Sequence, residues 1–284
     1  MLRRLTKSFV CLIVALLYAA VAQAGDGLVL MASTIGPVDA GIVQVLEEAF
    51  EKETGIRARH VGAGTGAALK IAQQGSVDLA MVHAKSLEEK FVKDGYGTER
   101  IPFMYNDFVI LGPTEDPAGI TGMKSATEAL KKIAEKGVPF ISRGDKSGTH
   151  VAEMELWDKA GIKPSGAWYV VYEKGSEGNA PTLKYTDSKS AYTYIDRATY
   201  LSLKNDIKLA ILVENDEAML NFISLIPVSQ KKFPQVNSEN AMTFVKWLTA
   251  PDKGQKIVQE FGKEKYGAPL FFPNSDEWKA AQGK

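Results

Sequence analysis

Three short stretches of the sequence concentrate hydroxyl groups and glycines where a strand should give way to a helix. They are Ala32-Ser33-Thr34-Ile35-Gly36, Gly62-Ala63-Gly64-Thr65-Gly66 and Ser142-Arg143-Gly144-Asp145-Lys146-Ser147-Gly148-Thr149-His150. In each, hydroxyl donors stand beside glycines that let backbone N–H groups come close to a ligand. A helix N-terminus adds about half a positive charge. Donors converging in this way suit a small oxyanion. A single junction is explained as well by helix capping, because Ser and Thr are ordinary caps. Three in series tilt the reading toward binding.

Two arginines extend the pattern. Arg143 lies in the third junction, and Arg197 follows an apolar run in Tyr192-Thr193-Tyr194-Ile195-Asp196-Arg197. Each has an acid nearby, Asp145 or Asp196, to orient its guanidinium fork, and an oriented fork presents paired donors to an oxyanion. Surface ion pairing is the plainer alternative, worth under about 1 kcal/mol for each pair.

Other chemistries fit less well. Gly62-x-Gly64-x-x-Ala67 matches a dinucleotide fingerprint, with Glu88 as the ribose acid, but that short pattern is weak. Gly144-Asp145-Lys146-Ser147-Gly148 is one residue out of step with the hydrolase elbow, which leaves an exported serine hydrolase using Ser147 as a remote alternative. His60, His83 and His150 are too far apart in sequence to form a local metal motif. No cation ligands and no cofactor are expected.

The elements that must hold these junctions alternate between strand and helix. Strands are expected at 28–31, 56–61, 78–82, 107–111, 139–142, 168–172, 192–195, 209–213 and 222–228. Helices are expected at 38–52, 67–74, 87–93, 127–135, 147–160, around 182–186, 239–248 and 254–261. Such alternation predicts an α/β protein with mostly parallel sheets covered on both faces, and ligands outside the carboxyl ends of the strands. The turn-rich segment Gly112-Pro113-Thr114-Glu115-Asp116-Pro117 separates two sets of elements. The expected division is lobe 1 at 25–110 and 229–284, lobe 2 at 111–228, with crossings near 107–111 and 222–228.

Residues 1–24 carry Arg3, Arg4 and Lys7 and no acid. An apolar run over 9–22 follows, ending at Ala22-Gln23-Ala24. This is the pattern of a cleaved secretory signal, and the run is shorter than the roughly 20 residues that span a bilayer. The chain holds 34 basic and 34 acidic residues, so the remainder is slightly acidic. That balance speaks against nucleic-acid binding, which needs a basic stripe. Cys11, the single cysteine, lies in the leader. The mature chain must therefore be stabilised by core burial without disulfides. The expected product is a monomer in the periplasm.

At these junctions the chain resembles the substrate-binding proteins of tungstate ABC transporters, within the wider periplasmic oxyanion-binding superfamily. The strongest matches are the third junction and Asn106-Asp107-Phe108-Val109-Ile110-Leu111-Gly112-Pro113. Gly64-Thr65-Gly66-Ala67-Ala68-Leu69, Asp78-Leu79-Ala80-Met81-Val82-His83, Ala191-Tyr192-Thr193-Tyr194-Ile195-Asp196-Arg197 and Pro269-Leu270-Phe271-Phe272-Pro273-Asn274 support them. The resemblance implies a two-lobe, type II-like periplasmic-binding-protein fold that closes on an anion in its cleft and delivers it to a membrane permease. It is not an enzyme family. Two departures stand out. The first loop has Ile35-Gly36 where the family carries hydroxyls, so backbone N–H groups must compensate there. Gly178-Asn179-Ala180 replaces a Gly-Met-Gly segment.

The expected anion is tungstate or a related tetrahedral oxyanion such as molybdate, with phosphate or sulfate as the alternative. Phosphate keeps a proton near neutral pH and benefits from a carboxylate acceptor, whereas tungstate, molybdate and sulfate want donors only. Where similar phosphate binders carry an aspartate, this chain holds His83, which can donate. Ser33, Thr34 and Thr65 are expected to donate from one lobe, and Arg143, Ser147, Gly148 and Thr149 from the other, with Arg197 in support.

Overall fold

Strand–helix alternation in the sequence becomes one continuous mixed sheet flanked by helices in the computed structural model, which describes residues 27–283. The expected signal segment at 1–24 lies outside the described residues. The first run is β1 (Leu28–Thr34), α1 (Ile35–Ala40), α2 (Ile42–Thr54), β2 (Arg57–Ala63), α3 (Thr65–Ala72), β3 (Leu79–Val82), α4 (Lys85–Lys93) and β4 (Ile101–Gly112). Next come α5 (Ala126–Lys136), β5 (Phe140–Ser142), α6 (Gly148–Lys159), β6 (Tyr169–Val171), α7 (Asn179–Ser188), β7 (Tyr192–Asp196), α8 (Arg197–Leu203) and β8 (Ala210–Val213). The chain then returns through β9 (Leu220–Pro227), α9 (Ser238–Thr249), α10 (Gly254–Glu260), α11 (Lys263–Tyr266), β10 (Phe272–Pro273) and α12 (Asp276–Ala281).

The sheet runs β2-β1-β3-β9-β4-β7-β5-β6, with β8 and β10 also paired to β4. β1 is parallel to β2 and β3, and β5 is parallel to β6 and β7, as crossover helices require. Antiparallel pairing is confined to ladders that include β4 or β9, the strands that join the two groups, and β10 adds a short one to β4. β9 pairs with β3 on one side and β4 on the other, and the far part of β4 pairs with β7 and β8.

Each half has a core on both faces of its part of the sheet. In β3, Leu79 and Met81 point into a core with Met31, Phe50, Phe244 and Trp247. Its alternate residues Ala80 and Val82 point into a second core with Leu69, Phe91 and Ile226. This two-sided burial is why the strand reads as an unbroken apolar run. In β4, Phe108 and Ile110 join Trp157, Tyr192 and Tyr194, while Val109 and Leu111 face Leu183 and Ile195. The C-terminal helices return to the first half, where Phe244, Trp247 and Leu248 pack.

The observed division corrects the expected boundaries. β4 begins at Ile101, not at 107, and changes partner along its length. Asp107 is the last residue paired to β9, opposite Leu220, and Phe108 is the first paired to β7, opposite Asp196. Phe108 and Ile110, expected in lobe 1, therefore pack in the second half. β9 was expected to end lobe 2, but Ile223, Leu225 and Ile226 pack in the first-half cores, while Met219 is the last residue in the second. The chain thus crosses at 107–108 and again at 219–220. The expected helix at 38–52 is also two helices. Gly41, with φ of 87°, closes α1 and opens α2, a left-handed conformation glycine accepts without a Cβ penalty.

Candidate functional site

Between the two halves lies a cleft of about 620 Å³, bordered by the starts of helices from both sides. The first half contributes Thr34, Ile35, Gly36 and Gly64 at the heads of α1 and α3, and Asp39 near the end of α1. The second contributes Arg143, Ser147, Gly148, Thr149, Gly178, Asn179 and Asp196. α1, α3 and α7 start on Thr34, Gly64 and Gly178 without a side-chain cap bond. First-turn N–H groups have no partner inside their own helix, so uncapped starts leave those donors to the cleft. Ile35 and Gly36 therefore carry backbone donors where the sequence lacks hydroxyls. α6 differs, because Ser147 Oγ accepts from His150 N at 3.4 Å. The Ser147 hydroxyl proton is still available to donate.

Arg143 is held from three directions. Its Nε donates to Gly175 O at 3.0 Å, Nη1 to Asn179 Oδ1 at 2.5 Å and Nη2 to Asp145 Oδ2 at 2.8 Å. A guanidinium has five N–H donors, so one on each Nη is left over. Asp145 also accepts from Ser147 N at 3.1 Å, which ties the arginine to the start of α6. Gly175 permits the close approach, because a Cβ there would lie 1.8 Å from Arg143 O.

His83 reaches the cleft from the end of β3 and packs across it against Gly148, where an added Cβ would meet the imidazole Cε1 at 2.4 Å. Burial pushes its pKa down to about 4, so the ring is neutral near pH 7 and offers one donor. Asp39 is the carboxylate on the first-half side. Burial raises its pKa, Arg143 pulls it back, and Asp196 raises it further. Asp196 caps α8, accepting from Thr199 N at 2.8 Å, and also accepts from Asn179 Nδ2 at 2.6 Å.

Of the residues expected to bind, the structure brings Thr34, Arg143, Ser147, Gly148 and Thr149 to the cleft. Ser33 and Thr65 sit behind it. Ser33 is fully buried and donates to Thr34 O, and Thr65 Oγ1 donates to Thr34 Oγ1 at 3.2 Å. Arg197 is elsewhere. Its Nε and Nη2 grip Asp107 at 2.6–2.9 Å, and Nη1 reaches Glu214 at 2.8 Å. It locks the chain crossing and is not paired with Asp196 as expected, because α8 begins at residue 197 and carries the side chain toward β4. Residues the sequence reading missed are Asp39, Asn106, Asn179, Asn221 and Lys265. Asn179 was marked only as a departure from a motif, and Lys265 arrives through the return of the C-terminal segment.

The remaining alternatives find little geometry. Glu88 is buried on Arg100, away from any ribose position. His150 Nδ1 accepts from Lys146 N at 2.9 Å, so this nitrogen is not a base for Ser147. Among the described residues, no group of three His, Cys, Asp or Glu side chains could hold a metal ion, and no helix is long and apolar enough to cross a membrane.

Comparison with known proteins agrees with this arrangement. The family described as PBP superfamily domain matches residues 20–252. The tungstate-binding protein TupA of Peptoclostridium acidaminophilum is 44% identical over 251 residues, covering 88% of this chain and 86% of that protein. The solved tungstate-binding protein TupA of Desulfovibrio alaskensis superposes with a TM-score of 0.81 at 40% identity, covering 88% of this chain and all of its own. The tungstate ABC transporter structure from Geobacter sulfurreducens gives 0.72 at 43% identity, covering 82% of this chain and 98% of its own. Likeness of this extent, over one fold and nearly the full length of each chain, is common descent: the chain belongs to the PBP superfamily, in the family of these tungstate-binding relatives.

Proposed function

We propose that the protein is a periplasmic receptor that captures tungstate, or molybdate as a close analogue, in the cleft and delivers it to an ABC permease. The observation that carries this reading is the donor set. Arg143 keeps two N–H groups beyond its three protein partners, and uncapped helix starts line the same cleft from the other half. Thr34, Ser147, Gly148 and Thr149 complete the shell, with Ser33 and Thr65 supporting Thr34 from behind. The halves act as lobes, one comprising residues 27–107 and 220–283, the other 108–219, that close by rotation at the two crossings. Closure removes water from the anion and strengthens each donor. The chain reaches this place through its leader, is processed near Ala24 and works as a monomer without a cofactor or turnover.

Asp39 supports a second reading. A carboxylate at the cleft is an acceptor, which a protonated oxyanion such as hydrogen phosphate can use and tungstate cannot. Calorimetric titration of the mature, anion-stripped protein with tungstate, molybdate, sulfate and phosphate separates the two. Tight tungstate binding with weak phosphate is the expected result. Preference for phosphate, or no binding of any of the four, overturns the proposal.

A further inference from the structure

Arg143 and Asp196 both border the cleft on the second half, yet they do not pair. Asn179 stands between them. Its Oδ1 accepts from Arg143 Nη1, and its Nδ2 donates to Asp196 Oδ2 at 2.6 Å. A side-chain amide has one accepting end and one donating end, so a cation and a carboxylate on either side use both. Asp196 is filled further by Thr199, whose N and Oγ1 donate at 2.8 and 2.6 Å. The segment 175–179 is also built around the guanidinium, since Gly175 O takes its Nε.

We propose that Asn179 is a specificity-determining residue, an insulating amide that keeps the Asp196 carboxylate off both Arg143 and the bound anion. This rests on the cleft being the oxyanion site. With the amide in place, Asp196 spends its lone pairs inside the protein and Arg143 keeps its charge for the ligand. The Asp196 carboxylate, the acid joined to the arginine's own network, is then withheld from the ligand, which suits fully deprotonated tetrahedral dianions, and Glu177 at the edge of the same cleft is untouched by the amide. Without the amide, Asp196 loses a donor and becomes an open acceptor beside the ligand. It can pair with Arg143, or repel a dianion, or accept the hydrogen bond that hydrogen phosphate donates. Asp39 and Glu177 are acceptors in every variant, so the effect is read as a change from the unaltered chain.

The test is titration of the Asn179→Leu and Asn179→Asp variants of the mature protein with tungstate, sulfate and phosphate, with thermal melting to establish folding. Asn179→Leu keeps the branching at Cγ and removes the amide, at the cost of a bulkier side chain, while Asn179→Asp keeps the shape and turns the donor facing Asp196 into a carboxylate. The tungstate-to-phosphate affinity ratio should fall roughly tenfold in the first, the worth of one charge-assisted hydrogen bond, and further in the second. A loss by the same factor for every anion, or no loss, overturns the inference. If Asn179→Leu does not fold, the isosteric variant gives the same reading. If the unaltered chain ignores tungstate, the proposed function falls, while sulfate against hydrogen phosphate still decides the inference by the same contrast.

Discussion

Replacing Arg143 by alanine removes the one cation that the third junction aims at the cleft. Three of its five N–H donors are already taken by Gly175, Asn179 and Asp145, which leaves two for the ligand. Each hydrogen bond between a charged group and its partner is worth about 1.5–3 kcal/mol. The loss in anion binding should therefore be about 3–6 kcal/mol, a fall in affinity on the order of a hundredfold to ten-thousandfold. The substitution also strands Asp145, whose side chain is only 12% exposed, so thermal melting must accompany the calorimetry. Arg143→Lys keeps the charge but not the fork, and should recover part of the loss without reaching the unaltered chain. A folded Arg143→Ala protein that binds tungstate within about fivefold of the unaltered chain, less than one such bond is worth, would refute the donor count.

Arg197→Ala should behave in the opposite manner. It breaks a buried pair with Asp107, so stability should fall by about 3–5 kcal/mol and Tm by on the order of 10 °C, while anion affinity in the folded protein stays within about threefold. A large change in affinity with unchanged melting would return Arg197 to the binding site. Glu153 gives a pH signature. Burial pushes its carboxyl up to about 7 despite hydrogen bonds from Tyr169, Ser142 and Trp157. The folded chain then holds this proton after the unfolded chain has released it, so Glu153 makes stability fall as pH rises from about 4.5 to about 7, by about 3 kcal/mol in all. In Glu153→Gln that component is absent. Melting curves of the two proteins that stay parallel across this pH range would contradict it.

What could be read from sequence follows from how local each signal was. β3 was legible because both its faces are buried and its residues form an unbroken apolar run. The first part of β4 was hidden by Pro102, Tyr105 and Asn106, whose polarity and missing N–H interrupt the pattern of a strand. Ser33 and Thr34 were both assigned to the ligand, but successive residues of a strand point to opposite faces, so only one can reach the cleft. Thr65 lies on the first turn of α3 and turns back to Thr34. Arg197 was matched with the acid next to it in sequence, whereas its partner in space, Asp107, is 90 residues away. Asn179 stands out in the sequence only as a departure from a motif, because its role exists only once α7 brings it between Arg143 and Asp196.

The exchange of partners along β4 bears on time as well as shape. Asp107 ends one ladder and Phe108 begins the next, with Leu220 and Asp196 as their opposite numbers. A rotation between those two residues leaves every rung of both ladders in place. Separation of the halves would then break no rung of either ladder, and what it would have to undo is side-chain packing, that of Ala198 and Leu201 of α8 on the first-half core and of His83 on Gly148. That packing is the same for every ion, so differences in residence would be set by the bonds the ion makes, and arrival by diffusion. Anions that satisfy fewer donors should arrive about as fast as the preferred one and leave sooner, so that discrimination is expressed in the dwell time of the captured ion.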